Sequence, residues 1–274
     1  MQAIQIIFRF LGFLFRAKTR YQVHSPFVFD FVENTLEDER HYYAFSDIER
    51  LRELLLKDTT KIEVTDLGAG SHRLKKEETR SIAAICKTAV SPPKKCQLLF
   101  KIVHQVKPKT ILEIGTSLGI STIYQAKAAS NAQLISLEGS PAIAQVAQQN
   151  LKRLKVNNTT ITTGPFEATL VPALQQLKKL DYVFIDGNHR QDATLLYFEK
   201  CLDFAHADSV FVIDDIYWSA EMQAAWQSIC QHPKVTLSVD YFDVGLVFFR
   251  KDHLEKEHHL VIRSFWKPWA RGFF

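Results

Sequence analysis

From residue 110 onward, short apolar runs alternate with longer helix-compatible stretches, and no other feature limits the fold as much. The runs cover residues 110–114, 133–137, 159–163, 182–185 and 210–213. Such runs, with helical sequence between them, predict βαβ units and a parallel sheet covered on both faces. The end of the chain breaks the pattern. Residues 235–239 and 244–249 are strand-like and are joined only by Asp240-Tyr241-Phe242-Asp243. Four residues cannot make a parallel crossover, so this pair is expected as an antiparallel hairpin.

Before residue 90 the chain reads as apolar, helix-like segments with irregular breaks. The expected organisation is therefore a mostly helical extension over residues 1–90, an α/β domain over 91–250, and an aromatic and basic tail over 251–274. The 274 residues are 46% hydrophobic and 23% charged, which fits a soluble globular chain able to bury a core without metal or disulfide staples. Lys and Arg number 34 and Asp and Glu 30, a net charge of +4 that gives no reason to expect nucleic acid as a partner. Cys86, Cys96, Cys201 and Cys230 are scattered and form no C-x-x-C pair. They read as free thiols of a reducing compartment, so a cytoplasmic location is expected. The N-terminus is apolar first and basic after, the reverse of a secretory signal.

In open α/β sheets ligands bind beyond the carboxyl ends of the strands. The first predicted strand ends in Leu112-Glu113-Ile114-Gly115-Thr116-Ser117-Leu118-Gly119-Ile120-Ser121-Thr122. Gly115 and Gly119 allow a sharp turn and close approach to a ligand. A helix starting near Ser121 would aim its amide donors at that ligand. The second strand ends in Glu138, followed by Gly139 and Ser140, about 20 residues beyond the glycines. An acid there can accept hydrogen bonds from ribose hydroxyls. The dinucleotide fingerprint is absent because Ser117 stands where its second glycine would be, and no P-loop occurs. A second glycine-rich stretch, Thr65-Asp66-Leu67-Gly68-Ala69-Gly70-Ser71, lacks a following acid-ended strand and reads as a tight loop near the site.

Taken in order, Glu113, the two glycines, the helix start and Glu138 resemble the first motifs of class I S-adenosylmethionine-dependent methyltransferases. The segment Lys95-Cys96-Gln97-Leu98-Leu99 narrows the resemblance to the catechol O-methyltransferase-like group, with cysteine where that group has glycine. The resemblance covers about residues 92–250. It implies an α/β, Rossmann-like methyltransferase fold with a seven-stranded, mostly parallel sheet and an antiparallel terminal hairpin. It implies S-adenosyl-L-methionine as cofactor, contacted by Gln97, Glu113, Gly115, Thr116, Ser117, Gly119, Ser121, Glu138, Gly139, Ser140, Gly164, Phe166 and Asp186.

Two further strands end in acids, in Asp186-Gly187-Asn188-His189 and in Asp214-Asp215. Oxygen-only ligands suit Mg²⁺, Ca²⁺ or Mn²⁺. The resemblance implies a Mg²⁺-type ion on Asp186, Asp214 and Asp215, with aspartate in place of the family's asparagine. It also implies a base where His189 stands, with Asp186 as the other catalytic candidate. Imidazole titrates near neutral pH and is chemically able to serve. Tyr217 and Trp218 are candidates for a substrate wall, while Phe248 and Phe249 read as core.

The expected activity is O-methylation of a small hydroxylated molecule with a divalent metal. The alternatives are a metal-independent methyltransferase of the same fold and a non-catalytic, cofactor-binding interaction protein at a membrane surface. The apolar first fifteen residues suit packing on the domain, a homodimer contact, or peripheral membrane contact.

Overall fold

The computed structural model describes residues 2–65, 77–251 and 255–270. In chain order these residues form α1 (Gln2–Arg16), α2 (Pro26–Asn34), α3 (Tyr43–Leu55), β1 (Lys61–Thr65), β2 (Glu77–Ser81), α4 (Ile82–Ala89) and α5 (Pro93–Val106). Then come β3 (Thr110–Ile114), α6 (Ile120–Ala128), β4 (Gln133–Glu138), α7 (Pro141–Arg153), β5 (Thr159–Thr163), α8 (Phe166–Leu177) and β6 (Leu180–Ile185). The remainder is α9 (Gln191–Leu202), β7 (Ala205–Asp214), α10 (Ala220–Gln231), β8 (Leu237–Asp240), β9 (Val244–Phe248) and β10 (Glu257–Leu260). The chain divides into two compact bodies, Arg40–Asn188 and Met1–Glu39 with His189–Phe274.

In the Arg40–Asn188 body the parallel strands lie in the order β6-β3-β4-β5. Leu112 pairs with Ile135 on one side and Val183 on the other, so the strand residues at the centre are buried on both faces. That burial explains their near-continuous apolar character. Phe45, Ile48, Leu51, Ile82, Ile85, Phe100, Ile123 and Tyr124 form one buried cluster. α3 and α4, expected as part of a separate extension, therefore share a core with α5 and α6, and the compact bodies do not follow the expected division at residue 90. β1 and β2 pair antiparallel as a small ribbon of their own. Of the glycine-rich stretch at 65–71, only Thr65 lies among the described residues.

In the other body the strand order is β10-β8-β9-β7. β7, β9 and β8 pair antiparallel, as the short Asp240–Asp243 connection requires. β10 adds in parallel to β8. All seven expected strands are present as β3 to β9. β10 was not expected, because Glu257-His258-His259-Leu260 has no apolar alternation, which an edge strand can do without.

Candidate active site

The site is built where β3, β4, β5 and β6 end. Gly115 has φ +105°, a conformation costly for any residue with a side chain. A Cβ there would lie 2.3 Å from the Asp186 carbonyl oxygen. The turn is pinned on both sides. The Asp186 N–H donates to the Ile114 carbonyl at 2.9 Å, and the Gly115 and Thr116 N–H groups both donate to the Leu137 carbonyl, at 3.0 and 3.1 Å. Ser117 (φ +48°) and Gly119 (φ +80°) complete the turn, and Gly119 caps α6. The Ser117 Oγ is buried and has no hydrogen-bond partner among the described residues.

Glu138 faces this turn. Its carboxylate accepts the Ser117 N–H at 2.8 Å and the Ser140 N–H at 2.9 Å. Burial pushes its pKa up, and the backbone donors around it pull the other way. The Gly139 and Thr116 N–H groups also act on this carboxylate. The Gly164 N–H donates to the Glu138 carbonyl at 2.9 Å, which ties the end of β5 to the same place. Phe166 lies against Gly187, where a Cβ would come within 2.7 Å of the ring.

A cavity of about 280 Å³ opens here, lined by Glu138, Gly139, Ser140, Ile143 and Phe166 on one side. Val64, Thr65, Glu78 and Arg80 of the β1–β2 ribbon, with Ile85 and Ala89 of α4, line the other. The Thr65 N–H donates to the Ser140 Oγ at 3.3 Å and fastens the ribbon to the cavity wall. The arrangement offers a carboxylate flanked by backbone donors beside an apolar slot holding one aromatic ring. That chemistry suits the sugar and base of a nucleoside.

Comparison with known proteins agrees. A family model described as a methyltransferase domain matches residues 112–216. The chain is 31% identical over 142 residues to a catechol O-methyltransferase of Niastella koreensis, covering 50% of this chain and 63% of that protein. It is 30% identical over 126 residues to a catechol O-methyltransferase of Mycobacterium tuberculosis, covering 44% of this chain and 54% of that one. Over these residues the chain is similar to a methyltransferase domain, and the curated matches liken it to catechol O-methyltransferases. Among solved structures, the O-methyltransferase of Bacillus cereus in complex with SAH superposes with a TM-score of 0.53 at 20% identity, over 80% of this chain and 99% of that one. This likeness shows the Rossmann-like methyltransferase fold. The chain spans less than two thirds of the length of the curated relatives it matches.

Several residues singled out by the methyltransferase motifs stand away from the cavity. Glu113 is fully buried beneath the glycine turn, where it accepts hydrogen bonds from Ser121, Thr122, Gln125 and Ser136. Burial raises its pKa to about 7 against the pull of those donors. Glu113 and Ser121 thus brace the turn from below and offer no free face to a ligand. Gln97 lies on α5 and lines a separate groove with Phe45, Glu49 and Glu53. Cys96, which replaces the family's glycine, is fully buried against the Arg52 guanidinium at 3.5 Å, and burial pushes its thiol up to about 12.

Among the described residues no group of three or more His, Cys, Asp or Glu is placed to hold a metal ion. The oxygen-only donor set of Asp186, Asp214 and Asp215 has the right chemistry for Mg²⁺. Asp214 is buried at the end of β7, whereas Asp215 adopts φ +53°, is part-exposed and gives its N–H to the Asp243 carbonyl at 2.9 Å. Asp186 accepts the Ser91 hydroxyl at 3.5 Å, and His189 is part-exposed at the start of the second body. Tyr217, a candidate for the substrate wall, is held by its neighbours. Its hydroxyl donates to Asp240 at 2.7 Å and its ring stacks on Phe242 at 4.8 Å.

The ribbon residues Glu78 and Arg80 are not among the expected site residues, whereas Thr65 opens the stretch read as a loop near the site. β1 does alternate in the sequence, but β2 is Glu-Glu-Thr-Arg-Ser, with no apolar residue to mark it as a strand.

Proposed function

We propose that this chain transfers the methyl group of S-adenosylmethionine to a hydroxyl oxygen of a small molecule. The observation that carries the reading is the Glu138 carboxylate, held by the Ser117 and Ser140 amides at the mouth of the cavity that Phe166 lines. In this reading Glu138 accepts both ribose hydroxyls, and Gly139, Ser140, Ile143 and Phe166 enclose the adenine. Gly115, Thr116, Ser117 and Gly119 bring backbone close to the methionine end. The names of the curated relatives point to a vicinal aromatic diol as substrate class.

The bound cofactor supplies an electrophilic methyl carbon. The acceptor oxygen must lie in line with it, and a neutral hydroxyl must lose its proton as the O–C bond forms and the S–C bond breaks. His189 and Asp186 are the groups assigned to that proton, with His189 as base and Asp186 as its neighbour at the β6 end. Asp186, Asp214 and Asp215 would hold a divalent ion if one is bound, and such an ion would lower the pKa of the acceptor hydroxyl. Metal dependence is decided by the assay itself.

The test is release of S-adenosylhomocysteine from S-adenosylmethionine over a panel of catechols, simple phenols and aliphatic diols, with added Mg²⁺ and with EDTA. Turnover of a diol that falls at least about 100-fold in His189→Ala, with cofactor binding intact, is expected for a general base. Cofactor binding with no methylated hydroxyl anywhere in the panel would overturn the reading in favour of a cofactor-binding scaffold. Abolition of turnover by EDTA would put a metal back into the mechanism.

A further inference from the structure

The body containing both chain ends carries a surface that cofactor binding does not use. Along one face of α1, Ile4, Ile7, Phe8, Leu11 and Phe15 are exposed, Phe8 at 69% and Phe15 at 81%. Their spacing is that of a continuous helical stripe. The stripe does not belong to a loosely attached helix. On the other side of α1, Phe13 is fully buried against Tyr217 and Phe242, and Phe10 packs on Phe242 and Trp266.

The C-terminal segment extends the same surface. The Lys267 ammonium donates to the Ala17 and Phe15 carbonyls and so caps the end of α1. This contact holds the neighbouring residues beside the helix, with Trp269 exposed at 73% and Phe265 at 53%. At another edge, Arg9 donates to the Tyr217 and Trp218 carbonyls and fixes the exposed Trp218. Nine of the sixteen large exposed hydrophobic residues among those described fall in α1, Trp218 and the C-terminal segment. Scattered exposed apolar residues are ordinary, but a concentration of this kind marks an interaction surface.

Charge decides what covers it. No Asp or Glu occurs before Asp30 and none after Glu257. Those two stretches carry Arg9, Arg16, Lys18, Arg20, Arg263, Lys267 and Arg271. The whole chain is only +4, so the rest of it is net negative. Arg20 and Arg263 are paired with Glu33 and Glu39, but Arg16 and Lys18 stand exposed at the end of the apolar stripe, and that combination matches a surface that is apolar inside and anionic at its rim. α1 has 15 residues, about 22 Å at 1.5 Å per residue, too short for a hydrocarbon core of about 30 Å. Among the described residues no helix is long and apolar enough to cross a membrane.

We propose that α1 and the C-terminal aromatic segment form a peripheral docking surface for an anionic lipid bilayer, with α1 lying in the interface plane. Phe8, Phe15 and Trp269 enter the headgroup and acyl boundary. Arg16 and Lys18, both exposed, meet the lipid phosphates. The proposal does not depend on the methyl-transfer reading.

The test is vesicle flotation of the full chain with phosphatidylcholine vesicles and with vesicles containing phosphatidylserine. Binding to the phosphatidylserine vesicles is expected, weakening as salt is raised. Phe8→Ser/Phe15→Ser/Trp269→Ser should lower partitioning on the order of 100-fold, since each ring loses its apolar burial. Arg16→Glu/Lys18→Glu should remove the preference for anionic lipid while leaving the circular dichroism and cofactor binding of the native chain. A native chain that stays with neither vesicle overturns the proposal. A stable dimer in solution that the triple-serine variant dissociates overturns it as well, by showing that a second copy covers the stripe.

Discussion

Replacing Glu138 with glutamine probes the cofactor cradle with the least change in shape. Both carboxylate oxygens take a backbone N–H, from Ser117 at 2.8 Å and Ser140 at 2.9 Å. Glutamine keeps one acceptor and turns the other position into an NH₂ that confronts an N–H donor. Leaving one such buried donor unsatisfied costs about 1–3 kcal/mol of stability, readable in urea unfolding. The cofactor loses a hydrogen bond to a charged acceptor, worth about 1.5–3 kcal/mol, which is about 10- to 100-fold in Kd. Equilibrium dialysis with labelled S-adenosylmethionine measures that loss. A cofactor analogue lacking the ribose hydroxyls separates direct contact from a disturbed loop. The native chain should bind the analogue more weakly than the cofactor, and Glu138→Gln should narrow that difference. If the folded variant keeps its affinity within about threefold, the ribose assignment is refuted.

Two further substitutions test the frame around the cradle. Gly115→Ala places a Cβ 2.3 Å from the Asp186 carbonyl at φ +105° and should cost about 2–5 kcal/mol in urea unfolding. Gly119→Ala, which meets only the Leu151 and Ala147 side chains at 3.1 and 3.2 Å in its nearest contacts, should cost less. Glu113 has its pKa raised by burial to about 7 from 4.5, so its contribution to stability is complete below pH about 4.5 and is lost as pH rises through 7. The stability of the native chain relative to Glu113→Gln should therefore fall by on the order of 3 kcal/mol between those limits. A difference that does not change with pH would show that Glu113 is ionised like an exposed carboxylate.

The sheet was legible because strands buried on both faces must be apolar, and β3, β4, β6 and the second half of β7 carry that signature. The cradle was legible for a different reason. Gly115, Gly119 and Glu138 sit where backbone geometry and strand ends leave few residue choices. Glu113 shows the limit of such reading. An acid in a ligand motif and an acid bracing that motif from beneath look the same until burial and partners are known. β2 and β10 escaped notice because strands at the edge of a structure need no apolar alternation. The division of the chain was not legible either, because α3 and α4 join the core of α5 and α6 through contacts that local pattern does not encode.

Hydrogen–deuterium exchange with and without saturating S-adenosylhomocysteine tests the central claim most directly, because it reports where the cofactor sits. The account predicts slowed exchange over residues 114–121, 138–143 and 164–166, and over the β1–β2 ribbon at 61–65 and 77–81. Slowed exchange confined to residues 189–270, or none at saturation, would contradict it.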